Sequence, residues 1–320
     1  MINDTTRNKI QSKHHGGSLL LFHIGAIFTV SVWGTSFIST EILLQHGIGP
    51  VVIYIIRFAI AYLVLLLIDH QRIMAQTWTD ELLLLLCGIT SGSIYFLAEN
   101  TALLYTQAAN VSLITSMAPL LTALLIGLLY KSERPSSGTW IGSAIAFIGV
   151  GCVIFNSGVS EGHERSSGMI GDFLSLSAAI SWAVYSIILR RVSANYSTTF
   201  ITRKTLFYGV ITALPFLSIE SRIPDCSVFM ETEVIFNILF LGLVASLICF
   251  FLWSVSVKRL GAIQTSNYLY FSPVVTMIVA WIVLDETVNL MGYIGCALVI
   301  SGLILGDYLS KYMRRTPARK

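Results

Sequence analysis

Three ionisable side chains, Glu41, Arg57 and Glu99, stand inside long runs of apolar residues. A charge at lipid depth costs roughly 2.5 to 3.5 kcal/mol on insertion scales, so such groups face one another or a polar cavity. At a rise of about 1.5 Å per residue, Arg57 falls about 10 Å below one membrane boundary and Glu41 and Glu99 about 5 Å below the same boundary. An arginine and two carboxylates in one layer suit an ion-paired gate, a proton-coupling site or a seat for a zwitterion. The plainer reading has Glu41 and Glu99 reaching up into headgroup water and Arg57 capping helix carbonyls.

Other polar and aromatic groups fall at helical spacing around these three. Gly88, Gly92, Tyr95, Glu99 and Ala102 share one face of a run, and Gly242, Ser246, Cys249, Trp253 and Ser256 share the corresponding face of another. Small residues at one end and large polar groups at the other predict close helix contact opening into a cavity walled by Tyr95, Glu99 and Trp253. Small-residue packing between membrane helices explains the glycines equally well. Pro119 and Pro273 lie about ten residues into their runs, where the missing N–H frees a carbonyl and permits a bend, so both are hinge candidates. Ser112, Ser116, Ser266, Asn267 and Tyr270 offer neutral hydrogen bonds to a solute in the same cavity. Trp33, Trp182 and Tyr185 offer aromatic walls, although aromatics at this spacing more often serve packing. Glu133, Asp285 and Glu286 stand where helices give way to turns and read as local caps. Asp172 and Asp307, also near boundaries, are expected to face water.

The elements that position these residues are ten apolar runs, at 19–45, 49–68, 82–103, 109–130, 138–156, 169–189, 199–219, 234–257, 262–284 and 289–309. Each is near the length a bilayer core demands. A chain with 55% hydrophobic and 12% charged residues and a mean hydropathy of +0.76 has too little polar surface for a water-soluble globule. The fold class is therefore all-α and polytopic. With the N-terminus in the cytoplasm, all but three of the 20 Lys and Arg residues fall on the cytoplasmic side: Arg165 and Arg222 fall outside, and Arg57 is in a span. The positive-inside bias thus places both termini in the cytoplasm. The first run is too long for a signal peptide, carries Trp33 and Glu41, and is kept as a retained helix. The five cysteines show neither a disulfide framework nor metal-ligand spacing. No GxxxxGK[ST] or HExxH pattern occurs, the one GxSxG string (Gly158–Gly162) falls in a Gly/Ser-rich linker rather than at a strand-to-helix turn, and no cofactor, metal or nucleic acid is expected. The chain does not read as an enzyme.

Residues 157–168, rich in Gly, Ser and charge, divide the chain into halves of five runs each. Gly88–Pro119 overlays Gly242–Pro273 at an offset of 154, matching Phe96 with Phe250, Ala108 with Ala262 and Pro119 with Pro273. At an offset of 153, Glu133, Gly142 and Gly149 fall on Glu286, Gly295 and Gly302, and Trp33 matches Trp182 more loosely. An odd number of spans per half makes the second half enter the membrane from the opposite side, an inverted-topology repeat. The expected organisation is a cytoplasmic tail at 1–18, a first repeat at 19–156, an outer linker at 157–168, a second repeat at 169–309 and a basic cytoplasmic tail at 310–320.

These residues resemble the EamA-type members of the drug/metabolite transporter (DMT) superfamily over roughly 20–306. The resemblance rests on Trp33, Gly34 and Phe37, on Pro50 and Arg57, on the segment Tyr105–Gly151, and on its partner Gly261–Gly302 with Pro273, Glu286, Gly295 and Gly302 in matching places. It implies an inner-membrane carrier, often an exporter of amino acids or related metabolites, with a central cavity and alternating access. It implies no substrate. One departure is Glu41, where the family often has a lysine eight residues after the tryptophan. The expected activity is secondary transport, most simply export, of a small polar or amphipathic metabolite. Its partners are that solute, membrane lipid and protons as a candidate coupling ion, with monomer and homodimer both open. An importer or exchanger, a membrane receptor without flux and an integral-membrane enzyme are the rivals. The last two lack an output domain and a nucleophile or metal cluster, respectively.

Overall fold

The computed structural model describes residues 4–70, 73–129, 137–156, 165–260, 265–285 and 290–315, and within these it is helical with no strand. In chain order the helices are α1 (Asp4–Gln45), α2 (Pro50–Ile68), α3 (Trp78–Ala102), α4 (Ala108–Leu129), α5 (Ser137–Asn156), α6 (Arg165–Val192), α7 (Thr198–Ala213), α8 (Thr232–Leu260), α9 (Ser272–Val283) and α10 (Leu290–Arg315). Among the described residues, six are long and apolar enough to cross a membrane: Leu19–Gln45, Pro50–Ile68, Trp78–Ala102, Ala108–Leu129, Gly168–Val192 and Thr232–Leu260. The chain is a multi-pass membrane protein. Its lateral surface carries Leu63, Leu67, Phe147, Ile148, Phe236, Trp281 and Ile282 exposed, as a lipid-facing surface requires.

Local sequence explains the helix starts. Pro50 occupies the first position of α2, where a missing N–H costs nothing. The Thr77 hydroxyl accepts from the Asp80 N–H at 3.1 Å, with Asp80 and Glu81 in the positive first turn of α3. Ser197 caps α7 in the same way through the Phe200 N–H. The α1–α2 turn runs through Gly47 at φ +80°, a backbone state that suits glycine.

Three helices are irregular internally and a fourth at its start, in two matching pairs. α3 carries a π-helical stretch at Ile89–Ile94, and α8 carries one at Phe240–Ile248. α4 is interrupted by a turn at 116–117, just before Pro119, and α9 is preceded by a 3-10 helix at Asn267–Phe271, just before Pro273. Each irregularity recurs at the positions that the offset of 154 brings together.

Glycines set the closest approaches. A Cβ on Gly142 would strike Gly302 and Gly306, and one on Gly149 would meet the Gly295 carbonyl at 2.7 Å. α5 and α10 are therefore in backbone contact, and antiparallel, since rising numbers in one meet falling numbers in the other. α3 presses on α7 similarly: a Cβ on Gly92 would meet Tyr54 Oη and, at 3.0 Å, the Gly209 Cα.

One expectation changes here. Asp172 does not face water: it is fully buried and accepts from the Thr106 hydroxyl at 3.1 Å, because the loop after α3 folds over the start of α6. Arg203 and Lys204, counted from sequence on the cytoplasmic side, are buried in α7, and Lys204 Nζ pairs with the Glu81 carboxylate. Glu133, Glu286, most of the linker (157–164) and the end of the basic tail (316–320) lie outside the described residues, as do the side chains of Asn267 and Asp307.

Candidate functional site

A cavity lies where α1, α2, α3 and α4 of the first half meet α6, α8 and the start of α9. Trp33, Ser36 and Phe37 line it from α1, Arg57 from α2, Tyr95, Phe96 and Glu99 from α3, and Ser112, Thr115 and Ser116 from α4. Trp182, Phe250 and Ser272 complete it from the second half. About 50 Å³ is open to the centres of water-sized molecules, room for a few waters at roughly 10–15 Å³ each. A metabolite therefore enters only if the walls part.

The walls are aromatic and interlocked. Trp33 meets Trp182 edge-on at 5.8 Å, Phe250 at 5.6 Å and Trp253 at 5.1 Å between ring centroids. Tyr95 packs on Trp182 at 5.0 Å, and Trp182 on Tyr185 at 5.1 Å. Such contacts prefer tilted and edge-on geometries, as seen here.

The polar groups sit on this apolar wall. Tyr95 Oη donates to Glu99 Oε1 at 2.7 Å, one helical turn away. Arg57 is buried, donates from Nε to Ser246 Oγ at 2.9 Å, and lays its guanidinium 4.7 Å from the centre of the Phe96 ring. Arg57 and Glu99 both line the cavity, yet no ion pair joins them among the described residues. Thr276 Oγ1 donates to the Gly34 carbonyl at 2.9 Å and bonds to Ser112 Oγ at 2.8 Å. The hydroxyls at the α4–α9 contact are thus tied to α1.

Of the residues chosen from sequence, Trp33, Arg57, Tyr95, Glu99, Ser116 and Trp182 converge on the cavity. Tyr185 is buried behind Trp182, Trp253 packs behind Trp33, and Tyr270 packs against the cluster around Met117. Glu41 lies in α1 two turns beyond Trp33 and is not part of the lining, and the contacts of Arg57 are with Ser246 and the Phe96 ring. Pro119 and Pro273 are buried at the two helix breaks without lining the cavity. Asn267 belongs to the 3-10 helix before α9.

Sequence reasoning passed over Phe96, Phe250, Thr115 and Ser272 as lining residues, and set Ser246 on the inner face of its helix without a role. The signal for the first two was available, since Phe96 and Phe250 coincide in the internal match and meet in the structure at 6.5 Å. Nothing in the sequence marked the π-helical stretch that carries Ser246.

The model of the EamA-like transporter family matches the chain twice, at residues 20–155 and 169–306. The chain is 26% identical to a probable terminal-alkyne amino-acid exporter of Streptantibioticus cattleyicolor, over 92% of this chain and 97% of that protein. It is 23% identical to a probable amino-acid metabolite efflux pump of Escherichia coli, over 88% of this chain and 93% of that protein. A solved crystal structure superposes with a TM-score of 0.63 at 20% identity, covering 93% of this chain and 99% of that one, and so shares the fold.

Proposed function

Because the chain belongs to the EamA-like transporter family, we propose that it is a secondary active carrier that moves a small polar or amphipathic metabolite, an amino acid or related compound, by alternating access in the export direction. The observation that carries this reading is the cavity itself. It sets one buried guanidinium and one carboxylate among aromatic rings, and it draws residues from both halves. Arg57 receives an anionic group, Glu99 exchanges its Tyr95 hydrogen bond for a cationic group or a proton, and the rings of Trp33, Trp182 and Phe250 cover the apolar remainder. Two relatives named as exporters or efflux pumps of amino-acid compounds support that solute class.

In this reading the ten helices form two inverted five-helix repeats, 19–156 and 169–309, in the inner membrane with both termini cytoplasmic. The α5–α10 contact supports it. Gly142 and Gly149 match Gly295 and Gly302 in sequence, and the observed contacts, 142 with 302 and 149 with 295, are exchanged by that same match. Pro119 and Pro273 mark the two breaks about which the halves bend, and Arg57 with Glu99 closes the cavity between cycles.

The test is efflux of labelled amino acids from proteoliposomes, with and without a proton gradient. Concentrative or exchange-driven movement supports the carrier, whereas ligand binding without flux makes the chain a receptor. Orientation has its own test. Cys226, exposed after α7, should react with an impermeant thiol reagent added outside intact cells, and labelling only after permeabilisation reverses the topology.

A further inference from the structure

The π-helical stretch of α8 holds two residues of the first half, and both line the cavity. The Cys249 N–H bonds back five residues to the Val244 carbonyl. The Ala245 carbonyl therefore lacks the N–H that an α-helix would give it. Trp33 Nε1 donates to that carbonyl at 3.0 Å. One residue on, the fully buried Ser246 presents its hydroxyl to Arg57 Nε at 2.9 Å.

These contacts occupy two sides of Arg57. Its Nε edge is tied to Ser246 and one face is covered by Phe96. Its terminal nitrogens make no hydrogen bond among the described residues, although the side chain is buried and lines the cavity. A guanidinium held by one edge presents the remaining pair of N–H groups as a fork for a carboxylate or similar planar anion. The matching position in α3 is Gly92, which has no side chain to offer, so the tether exists in one half only.

We propose that Ser246 is a positioning residue for solute recognition: with the Ala245 carbonyl holding Trp33, it sets the direction in which Arg57 meets the anionic group of the solute. This rests on the carrier reading above, and two measurements keep the two claims separable.

The first needs no solute. In protein labelled with ¹⁵N-arginine and placed in nanodiscs, Arg57 should give an Nε–H resonance protected from solvent exchange and identified by its loss in Arg57→Lys. Ser246→Ala should speed that exchange about tenfold or more, the scale of one lost hydrogen bond to a charged group, while Ser246→Thr keeps the protection. An unprotected resonance in the parent protein, or equal protection in Ser246→Ala, overturns the proposal. The second measurement is efflux of a ¹⁴C-labelled amino-acid mixture from proteoliposomes at matched protein content. Ser246→Ala should lose about tenfold at low internal concentration, recover most of the rate at saturating concentration, and be rescued by Ser246→Thr. Equal flux in Ser246→Ala at low concentration overturns the role in recognition. No flux from the parent protein overturns the amino-acid reading, and the exchange measurement then decides the role of Ser246 alone.

Discussion

The two π-helical stretches occupy matching places in α3 and α8, but they are anchored differently. The stretch in α3 is fixed to the opposite half through backbone and small hydroxyls. Ser93 donates to the Gly209 carbonyl at 3.0 Å and bonds to Thr212 at 2.6 Å, while Ser181 donates to the Thr90 carbonyl at 2.7 Å. Nearer the start of α3, Glu81 is held by Lys204, by Tyr208 and by the Ala75 N–H. The stretch in α8 is fixed instead through Trp33 and Arg57, whose far ends line the cavity. One copy of the irregularity thus serves a packed seam, and the other serves the site. An internal match conserves the backbone device without conserving its use.

That contrast can be broken most forcefully at the seam. Lys204→Met strips the cation from a buried carboxylate, and the loss should reach about 3–5 kcal/mol, seen as a fall in melting temperature and in membrane abundance. Lys204→Met combined with Glu81→Gln should recover most of it. A single variant that melts like the parent would show that the α3–α7 seam is not fixed by this pair. At the site, effects should move from stability to flux. Arg57→Gln should lower efflux about 10- to 100-fold at matched abundance, the scale of one charged hydrogen bond to solute. Adding Glu99→Gln should cost less than the sum of the two single losses, since both act on one cavity. Strictly additive losses in the double-mutant cycle would separate the two residues.

Smaller changes sharpen the comparison. Pro119→Ala and Pro273→Ala should each slow efflux several-fold with abundance preserved, because a restored N–H lets the helix run straight through its break. Unchanged rates reduce both prolines to packing. Trp33→Phe keeps the ring contacts but removes the donor to the Ala245 carbonyl. A loss of about 1 kcal/mol, or roughly fivefold in low-concentration efflux, is expected. Removing the hydroxyl of Ser181, its nearest counterpart in the other half, should alter melting and leave efflux at matched abundance unchanged.

Much of this was legible in the residues. The membrane class, the internal match and the convergence of Trp33, Arg57, Tyr95, Glu99 and Trp182 follow from apolar length, from order and from the cost of buried charge. What the residues left open is azimuth. Helical spacing placed Trp253 on the inner face of its helix, where it is buried against Trp33 rather than in the lining. Depth alone paired Arg57 with Glu41, but depth says nothing of azimuth, and Glu41 stands apart from the lining. The pairing of Lys204 with Glu81 joins positions 123 apart, which no local spacing reveals.

The glycine seam between α5 and α10 bears on how such a chain arises. A contact of Gly142 with Gly302 that recurs as Gly149 with Gly295 is one surface used twice, the property of an isologous interface between identical partners. In the inverted-repeat reading proposed above, a single half bearing that surface is complementary to an upside-down copy of itself. Duplication and fusion of one gene would then need no new interface, only a connecting segment, and divergence of the two copies would follow afterwards, with Ser246 and Gly92 recording one place where they parted.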